Sequence, residues 1–332
     1  MNLFLSTRHL AGVRQEDHLT EFIAASLELS PHFRDAFAAT MLGAFAAKKG
    51  WPQPEIQRVD TQVDFDGGNC KVDMVVHLAG GKAIAFEHKI DAPETPGPES
   101  EKPDQLKRYL ALEGIDGVAY VRASWKPPGK EVLEDPKYVR PPNRQHFVWH
   151  DLYPMLESER KGFLAWMKDG FQHLGFMPPH PALGNPANLD DQLNFQKLWE
   201  ATRSLAHGTY GWHVGTGSRI ELYLDGGATG LVTAIWIRPT DFATLLIRVT
   251  PAPDKMDEVA ALLHDAAENA PAPSEVSKLQ VRRTEGLVWV FDVTAPLKMV
   301  LREDHPTANQ MQARLASYVG HFLGVLHQGT NG

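Results

Sequence analysis

The sequence predicts a mixed α/β domain followed by a separate α+β domain. Three observations carry this prediction. Two apolar runs, 71–78 and 83–90, flank Gly80-Gly81 and predict a β-hairpin. Around this hairpin, apolar periodicity predicts the order helix, three strands, helix, strand, strand. Residues 176–191 then carry four prolines and no periodicity, which is typical of a linker between domains.

The first domain is predicted to span residues 1–175. Apolar residues at a period of 3.6 predict that it begins with helices over 15–49, interrupted at Pro31. Residues 92–104, rich in proline and acidic side chains, predict an exposed loop. The remaining elements are predicted as strands at 55–65, 117–121 and 146–150 and as helices at 104–112 and 151–174.

The second domain is predicted to span residues 192–332. The predicted elements are helices at 192–205, 255–269 and 309–326 and strands at 210–214, 219–223, 231–237, 244–249, 279–283 and 287–293. We identify no family for this half. Its candidate roles are to bind a protein partner, to position nucleic acid or to form a homodimer.

Composition bounds the class of protein. A chain of 332 residues is long enough for two cores, and contents of 43% hydrophobic and 22% charged residues are typical of a folded globular protein. No apolar run approaches 18 residues, so we expect no membrane span. The start of the chain lacks the pattern of a signal peptide, and we expect a cytoplasmic protein. A single cysteine, Cys70, excludes an internal disulfide and a cysteine-based zinc site.

Charge gives a mixed indication about nucleic acid. The net charge of −8 is unfavourable for a protein that holds a polyanion. Between Lys102 and Arg144, however, nine basic residues exceed six acidic ones. This local excess is suggestive and no more, because solvated loops often have the same composition.

The predicted hairpin places two carboxylates on neighbouring strands. A three-residue turn, 79–81, would place Asp73 directly opposite Glu87, with Lys89 on the same face. A two-residue turn would instead oppose Asp73 to His88, on the apolar face. Because a shift of one residue moves every side chain to the other face, the hydrophobic pattern favours the three-residue turn.

Two facing carboxylates repel each other unless a positive charge lies between them. Oxygen ligands of this kind suit Mg²⁺ or Mn²⁺. Lys89 would place an ammonium group beside a metal-bound water or an attacked phosphate. The alternative is an ion triad of Asp73, Glu87 and Lys89 that only stabilises the hairpin.

Asp73, thirteen intervening residues and then Glu87-His88-Lys89 on the next strand resemble the motif of the PD-(D/E)xK nuclease superfamily. Gln105 and Tyr109, on the following predicted helix, resemble the glutamine–tyrosine element of its RecB-like branch. The resemblance covers residues 15–152, and one departure is that Val72 stands where the family name has proline.

The resemblance implies a restriction-endonuclease-like core, α–βββ–α–β–β, in which a mixed sheet is flanked by helices. It further implies a divalent-metal-dependent nuclease that hydrolyses phosphodiester bonds, with DNA favoured, in defence or DNA processing. Asp73, Glu87 and the backbone carbonyl of His88 would hold Mg²⁺ or Mn²⁺. Glu21, ranked above Glu16, would assist from the first helix.

By the same resemblance, Lys89 would orient the attacking water, and Gln105 and Tyr109 would lie beside the site. Ordinary packing is the rival hypothesis for both of the last two residues. We expect His88, His146 and His150 to be structural, because no ligand spacing accompanies them.

Two other functions stay open at this point. In the first, the chain is a catalytically silent module with a nuclease fold that binds nucleic acid or protein. In the second, it is a nuclease that is active only when a partner or a small signal binds residues 190–332.

Overall fold

The computed structural model describes residues 15–65, 67, 70–90, 105–123, 125–179, 189–215, 221–225, 230–239, 244–271, 278–283, 289–301 and 307–328. The chain divides into two compact units, Met1–Pro178 and Pro179–Gly332. The division lies inside the predicted linker. Residues 180–188 of that linker and the predicted loop at 92–104 lie outside the described residues.

The first unit begins with helices α1 (Gln15–Leu29), α2 (Pro31–Phe37) and α3 (Gly43–Lys48). The predicted break at Pro31 is confirmed, and the hydroxyl of Ser30 caps α2 by accepting the N–H of Phe33. A π-helical turn, Ala38–Leu42, joins α2 to α3 where the sequence predicts one continuous helix.

The strands of the first unit form one mixed sheet. They are β1 (Ile56–Phe65), β2 (Cys70–Leu78), β3 (Lys82–Lys89), β4 (Gly117–Arg122), β5 (Tyr138–Val139) and β6 (Phe147–Val148). The order is β1-β2-β3-β4-β5, and β6 also pairs with β4. The first three strands are antiparallel, whereas β3, β4, β5 and β6 pair in parallel.

Helices cover both faces of this sheet. The core on one face includes Phe37 and Phe86 with other residues of α1–α3. The core on the other face includes Tyr109 of α4 (Gln105–Leu110) and Val132 of α5 (Lys130–Glu134). A mixed α/β unit with helices on both faces of a mixed sheet is therefore confirmed.

The β2–β3 turn is the predicted one. The strands pair from Met74↔Phe86 to Leu78↔Lys82, so the turn contains three residues. Gly80 and Gly81 have φ angles of 80° and 75°, a left-handed conformation that glycine adopts at little cost. The predicted register is thereby confirmed over these pairs.

The faces of β1 and β2 exchange part-way along the strands. Val59 and Met74 belong to the core under α1–α3, whereas Val63 and Val72 pack with the core under α4. The alternation of apolar residues along 71–78 predicts that Val72 and Met74 share a face, and this prediction is wrong. The exchange coincides with Gln62, which lies between the pairs Thr61↔Met74 and Val63↔Val72 and has a φ of 52°.

The end of the first unit is more broken than predicted. A 3₁₀ turn, Trp149–Asp151, replaces the second half of the predicted strand at 146–150. The predicted helix at 151–174 is divided into α6 (Tyr153–Leu156) and α7 (Gly162–His173). Gly162, at the start of α7, has a φ of 75°, a left-handed conformation that does not continue a helix.

The second unit is α+β, with one antiparallel sheet of six strands in the order β11-β12-β10-β9-β8-β7. Its core includes Ile237, Ile247 and Phe322. The strands are β7 (His213–Gly215), β8 (Leu222–Asp225), β9 (Val232–Pro239), β10 (Thr244–Pro251), β11 (Lys278–Arg283) and β12 (Trp289–Pro296). The helices are α8 (Leu189–Leu198), α9 (Glu200–Gly208), α10 (Met256–Glu268), α11 (Leu297–Leu301) and α12 (Ala308–Gln328).

Over the described ranges, no helix combines the length and apolar character needed to cross a membrane.

Candidate active site

Asp73, Glu87 and Lys89 meet at the end of the β2–β3 pair. Asp73 lies on β2 directly before Met74, whose pairing with Phe86 ends the β2–β3 ladder, and Glu87 and Lys89 lie on β3. Because β3 is bordered by β2 and β4 and covered by helices, Glu87 and Lys89 are only 1% and 6% exposed. The ammonium of Lys89 lies 2.5 Å from Oε1 of Glu87. The predicted constellation is thus assembled in a buried part of the sheet.

The electrostatics of the two carboxyl groups favour their neutral forms. Burial raises the pKa of Asp73. Burial and, next to it, the negative charge of Asp73 raise the pKa of Glu87 to about 8. Burial opposes the charge of Lys89, but the Glu87 and Asp73 carboxylates outweigh it and raise the pKa of Lys89. Two acids therefore share one ammonium, and the site holds a proton at neutral pH that a divalent cation would displace.

Tyr109 connects α4 to the Glu87 carboxyl group. Its hydroxyl lies 2.8 Å from Oε2 of Glu87 and also donates to the backbone carbonyl of Lys71. A hydroxyl has one hydrogen, so the Tyr109 hydroxyl shares it between the Glu87 carboxylate and the Lys71 carbonyl. The bond to Glu87 favours the charged carboxylate and so works against the burial that raises the pKa of Glu87. Tyr109 is also packed into the core, so the predicted packing role and a contact with the site coexist.

Gln105 lies one turn before Tyr109 on α4, and its Nε2 donates to the Tyr109 hydroxyl over 2.8 Å. The predicted common face of these two residues is confirmed. Its Oε1 is buried and, in the part of the chain that the structure describes, has no hydrogen-bond partner. A buried oxygen without a donor is costly, and it is available to a water or a cation in the site.

His88 lies between Glu87 and Lys89, but its ring is on the opposite face of β3. Nδ1 is 2.7 Å from Oγ1 of Thr20, and the ring centroid is 5.1 Å from that of Trp149. Burial, with a smaller contribution from Lys89, lowers the pKa of His88 to about 3. The backbone N–H of His88 donates to Oδ2 of Asp73 over 2.9 Å and holds that carboxylate in place. The role of the His88 carbonyl as a metal ligand stays a prediction.

The first helix brings Glu16, rather than Glu21, to this part of the sheet. Oε1 of Glu16 accepts the backbone N–H of Ile90 over 3.1 Å, and its charge helps to raise the pKa of Lys89. Glu21 is exposed. The sequence contained the signal for this difference, because Glu16 shares the buried stripe of Leu19, Ile23 and Leu27 and Glu21 lies off it.

Sequence reasoning also missed the residues that fix the end of β3. The indole N–H of Trp149 donates to the carbonyl of Lys89 over 2.9 Å, and the N–H of Ala123 donates to the same oxygen over 3.1 Å. Both donors follow strands that are distant in sequence from β3. Only the parallel pairing of β3, β4 and β6 brings them together.

The donor set fits a hard divalent cation. Carboxylate oxygens, a surplus of negative charge and the free Gln105 oxygen are the chemistry that Mg²⁺ and Mn²⁺ prefer. Among the described residues no group of three or more His, Cys, Asp or Glu is arranged as a metal site. Two carboxylates agree with a Mg²⁺ ion that keeps several waters and also binds a substrate phosphate.

Comparison of the chain with models of known protein families, with curated proteins and with solved structures finds no match.

Proposed function

We propose that the chain is a divalent-metal-dependent nuclease with a restriction-endonuclease-like first unit. The observation that carries this proposal is the pair of neighbouring carboxyl groups, Asp73 and Glu87, with the Lys89 ammonium 2.5 Å from Glu87 and a Glu87 pKa raised to about 8. Strongly perturbed acids of this kind concentrate at functional sites. DNA is the proposed substrate.

The arrangement of elements supports the same proposal. The acid motif begins on β2 and ends on β3, the helix with Gln105 and Tyr109 follows, and β4 returns parallel to β3. This is the order that the resemblance to the PD-(D/E)xK superfamily implies. In addition, the helix delivers Tyr109 to Glu87, as the glutamine–tyrosine element would.

Each residue has a role that follows from its contacts. Asp73 and Glu87 would hold Mg²⁺ or Mn²⁺, which supplies a polarised phosphodiester and a water of lowered pKa. Asp73 is oriented by the His88 N–H, and Glu87 by the Tyr109 hydroxyl. Lys89 keeps its proton, because its pKa is raised, and places a positive charge where the transition state gains negative charge.

The second candidate is a catalytically silent module on the same fold. One observation favours it: Lys89 already lies 2.5 Å from Glu87, as expected for an ion triad that only stabilises the sheet. Under this hypothesis the site binds no metal, and nucleic acid or protein is bound elsewhere.

The test is a cleavage assay on the purified full chain. Plasmid DNA, linear duplex DNA, single-stranded DNA and RNA are each incubated with Mg²⁺, Mn²⁺ or EDTA. We expect cleavage with metal and none with EDTA. Asp73→Asn should remove both cleavage and Mn²⁺ binding measured by calorimetry, whereas Lys89→Met should keep Mn²⁺ binding and lose most of the rate.

Asp116→Asn is a matched control for the loss of one carboxylate from the same sheet. Asp116 pairs with Lys82 at the other end of β3, about 20 Å from Lys89 along the strand. This variant should cleave at the wild-type rate. Undiminished Mn²⁺ binding by Asp73→Asn would contradict the proposed site, and cleavage only after addition of cell extract would indicate a required partner.

A further inference from the structure

The second unit carries a groove on the face of its sheet opposite the core. It has a volume of about 340 Å³ and is lined mainly by Glu221, Trp236, Arg238, Leu246, Arg248 and Val290. We name it the sheet groove. Volumes of this size are typical of sites for small ligands or for single groups of a larger one.

Trp236 is held as a rigid aromatic wall of the sheet groove. It pairs across strands with Tyr223 and Arg248, and the Tyr223 and Trp236 ring centroids are 4.6 Å apart. The Tyr223 ring itself lies across Gly215, where an added Cβ would be only 2.6 Å from Cδ1 of the ring. Trp236 nevertheless remains 38% exposed. An exposed indole backed by a fixed ring is a platform on which a planar group can stack.

Both arginines among the described lining residues have a carboxylate partner. Arg248 donates two hydrogen bonds to Asp292, over 2.7 and 2.9 Å, and Arg238 donates to Glu221 over 2.9 Å. Neither of these two guanidinium groups is therefore left unpaired to select a phosphate. Part of the lining is apolar, because Leu246 and Val290 border it.

The Arg238–Glu221 pair presents a donor and an acceptor side by side. The Arg238 side chain is 41% exposed and that of Glu221 is 14% exposed, so both reach the solvent. The edge of a nucleobase also presents adjacent donors and acceptors, and its two faces are apolar and planar. An aromatic wall beside one donor–acceptor pair matches that chemistry.

We propose that the sheet groove binds a nucleobase, delivered by a single strand of DNA or RNA or by a free nucleotide. This second site belongs to the C-terminal unit and requires no cleavage at Asp73 and Glu87. The role of the C-terminal unit under this proposal is to stack an unpaired base on Trp236.

The experiment titrates the full chain in EDTA, where no metal-dependent cleavage takes place. Short homopolymeric DNA and RNA strands and the corresponding mononucleotides are the ligands, and binding is followed by calorimetry. Trp236→Ala should weaken binding by about 5- to 150-fold, the loss typical of removing one stacking platform. Trp236→Phe should retain most of the affinity, because a smaller aromatic face remains.

Trp166→Ala is the matched control, since Trp166 is also 38% exposed but lies on α7 of the first unit. It should bind like the wild type. Arg238→Gln should change the ranking of the four bases, which a purely structural role would not do. Circular dichroism establishes that each variant is folded. Trp236→Leu, which keeps an apolar side chain but no aromatic face, should lose affinity like Trp236→Ala and tests the stacking even where Trp236→Ala does not fold.

The two arms separate the sources of the base. Binding of strands but not of mononucleotides assigns the groove to single-stranded nucleic acid, and equal binding assigns it to free nucleotides. Failure of every strand and nucleotide to bind, or an affinity of the folded Trp236→Ala or Trp236→Leu variant equal to that of the wild type, would overturn the proposal. If metal-dependent cleavage persists in that case, the proposed nuclease function stands and only the proposal for the sheet groove fails. If binding depends on Trp236 but no substrate is cleaved, the proposal for the sheet groove stands and the nuclease proposal fails.

Discussion

Each sheet of the protein brings two charged side chains from neighbouring strands close together, but the signs of the charges differ between the two sheets. In the first sheet Asp73 and Glu87 are both acidic and share Lys89. In the second sheet Arg248 and Asp292 form a direct cross-strand pair of opposite charges.

The pKa shifts show whether folding favours or disfavours the charged form in each pair. In the second sheet the hydrogen bonds that Arg248 donates to Asp292 raise the pKa of Arg248, so its charged form is favoured in the folded state. In the first sheet burial and Asp73 raise the pKa of Glu87 to about 8, so its charged form is disfavoured. The Arg248–Asp292 pair stabilises its sheet, whereas the acidic pair costs stability that a bound cation would return. Residues that lower stability without a structural benefit are the ones to examine for function.

The largest expected difference between the two pairs is in catalysis. Glu87→Gln should lower the initial rate of DNA cleavage at least about 1,000-fold, which is about 4 kcal/mol in the barrier, because a metal ligand is lost. Asp292→Asn removes the same charge from the second sheet and should change the rate very little. Rates are compared at a temperature where circular dichroism shows both variants folded. Equal losses in the two variants would mean that cleavage depends on general stability and not on the acidic pair.

Substitution in the Arg248–Asp292 pair should lower the free energy of unfolding more than substitution in the acidic pair, the reverse of the order expected for catalysis. Asp292→Ala leaves Arg248 without its partner and should lower the free energy of unfolding by about 3 kcal/mol. This is the low end for a broken buried pair, because the Arg248 side chain is 26% exposed. Asp73→Asn keeps an acceptor for the His88 N–H, leaves one carboxyl for one ammonium, and should be at least as stable as the wild type. Urea denaturation in EDTA at pH 8 measures both changes. A loss of several kcal/mol in Asp73→Asn would instead favour the structural ion triad.

The sequence could predict those features of the two sheets that follow from a regular spacing of residues along a strand or a helix. The alternation along β2 and β3 allows one register that buries the apolar side chains, and that register brings Asp73 to Glu87. The four-residue spacing places Gln105 and Tyr109 on one face in the same way.

Features that depend on local backbone distortion could not be predicted. The left-handed conformation of Gln62 exchanges the faces of β1 and β2, and no residue type in that stretch requires it. Contacts between distant segments, such as Trp149 with the carbonyl of Lys89, depend on strand order, which periodicity does not reveal. Glu16 is a different case, because its position on the buried stripe of α1 could have been used.

The acidic pair should also give the metal-free protein a distinctive dependence on pH. The pKa of Glu87 is about 8 in the folded state and close to 4.5 in the unfolded state, so between these values the native protein binds the extra proton. Its stability therefore falls as pH rises through this range. The useful window is pH 6.5 to 8, because His88, with a pKa lowered to about 3, has the opposite effect only below its ordinary value of 6.5.

Between pH 6.5 and 8 the wild type should lose up to about 2 kcal/mol relative to Glu87→Gln. Urea denaturation in EDTA at several pH values measures the difference, and saturating Mg²⁺ should reduce it by displacing the proton. Parallel stability curves for the two proteins would show that Glu87 ionises normally.

The smallest expected effect separates a glutamine of the site from a glutamine of the core. Gln105 donates to Tyr109 beside Glu87, and its own oxygen has no hydrogen-bond partner among the described residues. Gln312 of α12 is only 3% exposed, and its amide donates to the carbonyl of Lys197 in the second unit.

Gln105→Ala should lower turnover at least about tenfold, equivalent to about 1.4 kcal/mol in the barrier, because Tyr109 then holds Glu87 less firmly. Its stability should change little, since the lost hydrogen bond is offset by removal of the unpaired oxygen. Gln312→Ala should do the opposite: it leaves the Lys197 carbonyl without its donor, costs about 1–3 kcal/mol in unfolding free energy and leaves turnover unchanged. Initial rates and urea midpoints of both variants decide the matter. If Gln105→Ala resembles Gln312→Ala in both measurements, α4 serves only to pack the first sheet, and the resemblance of Gln105 and Tyr109 to a catalytic element has no functional content.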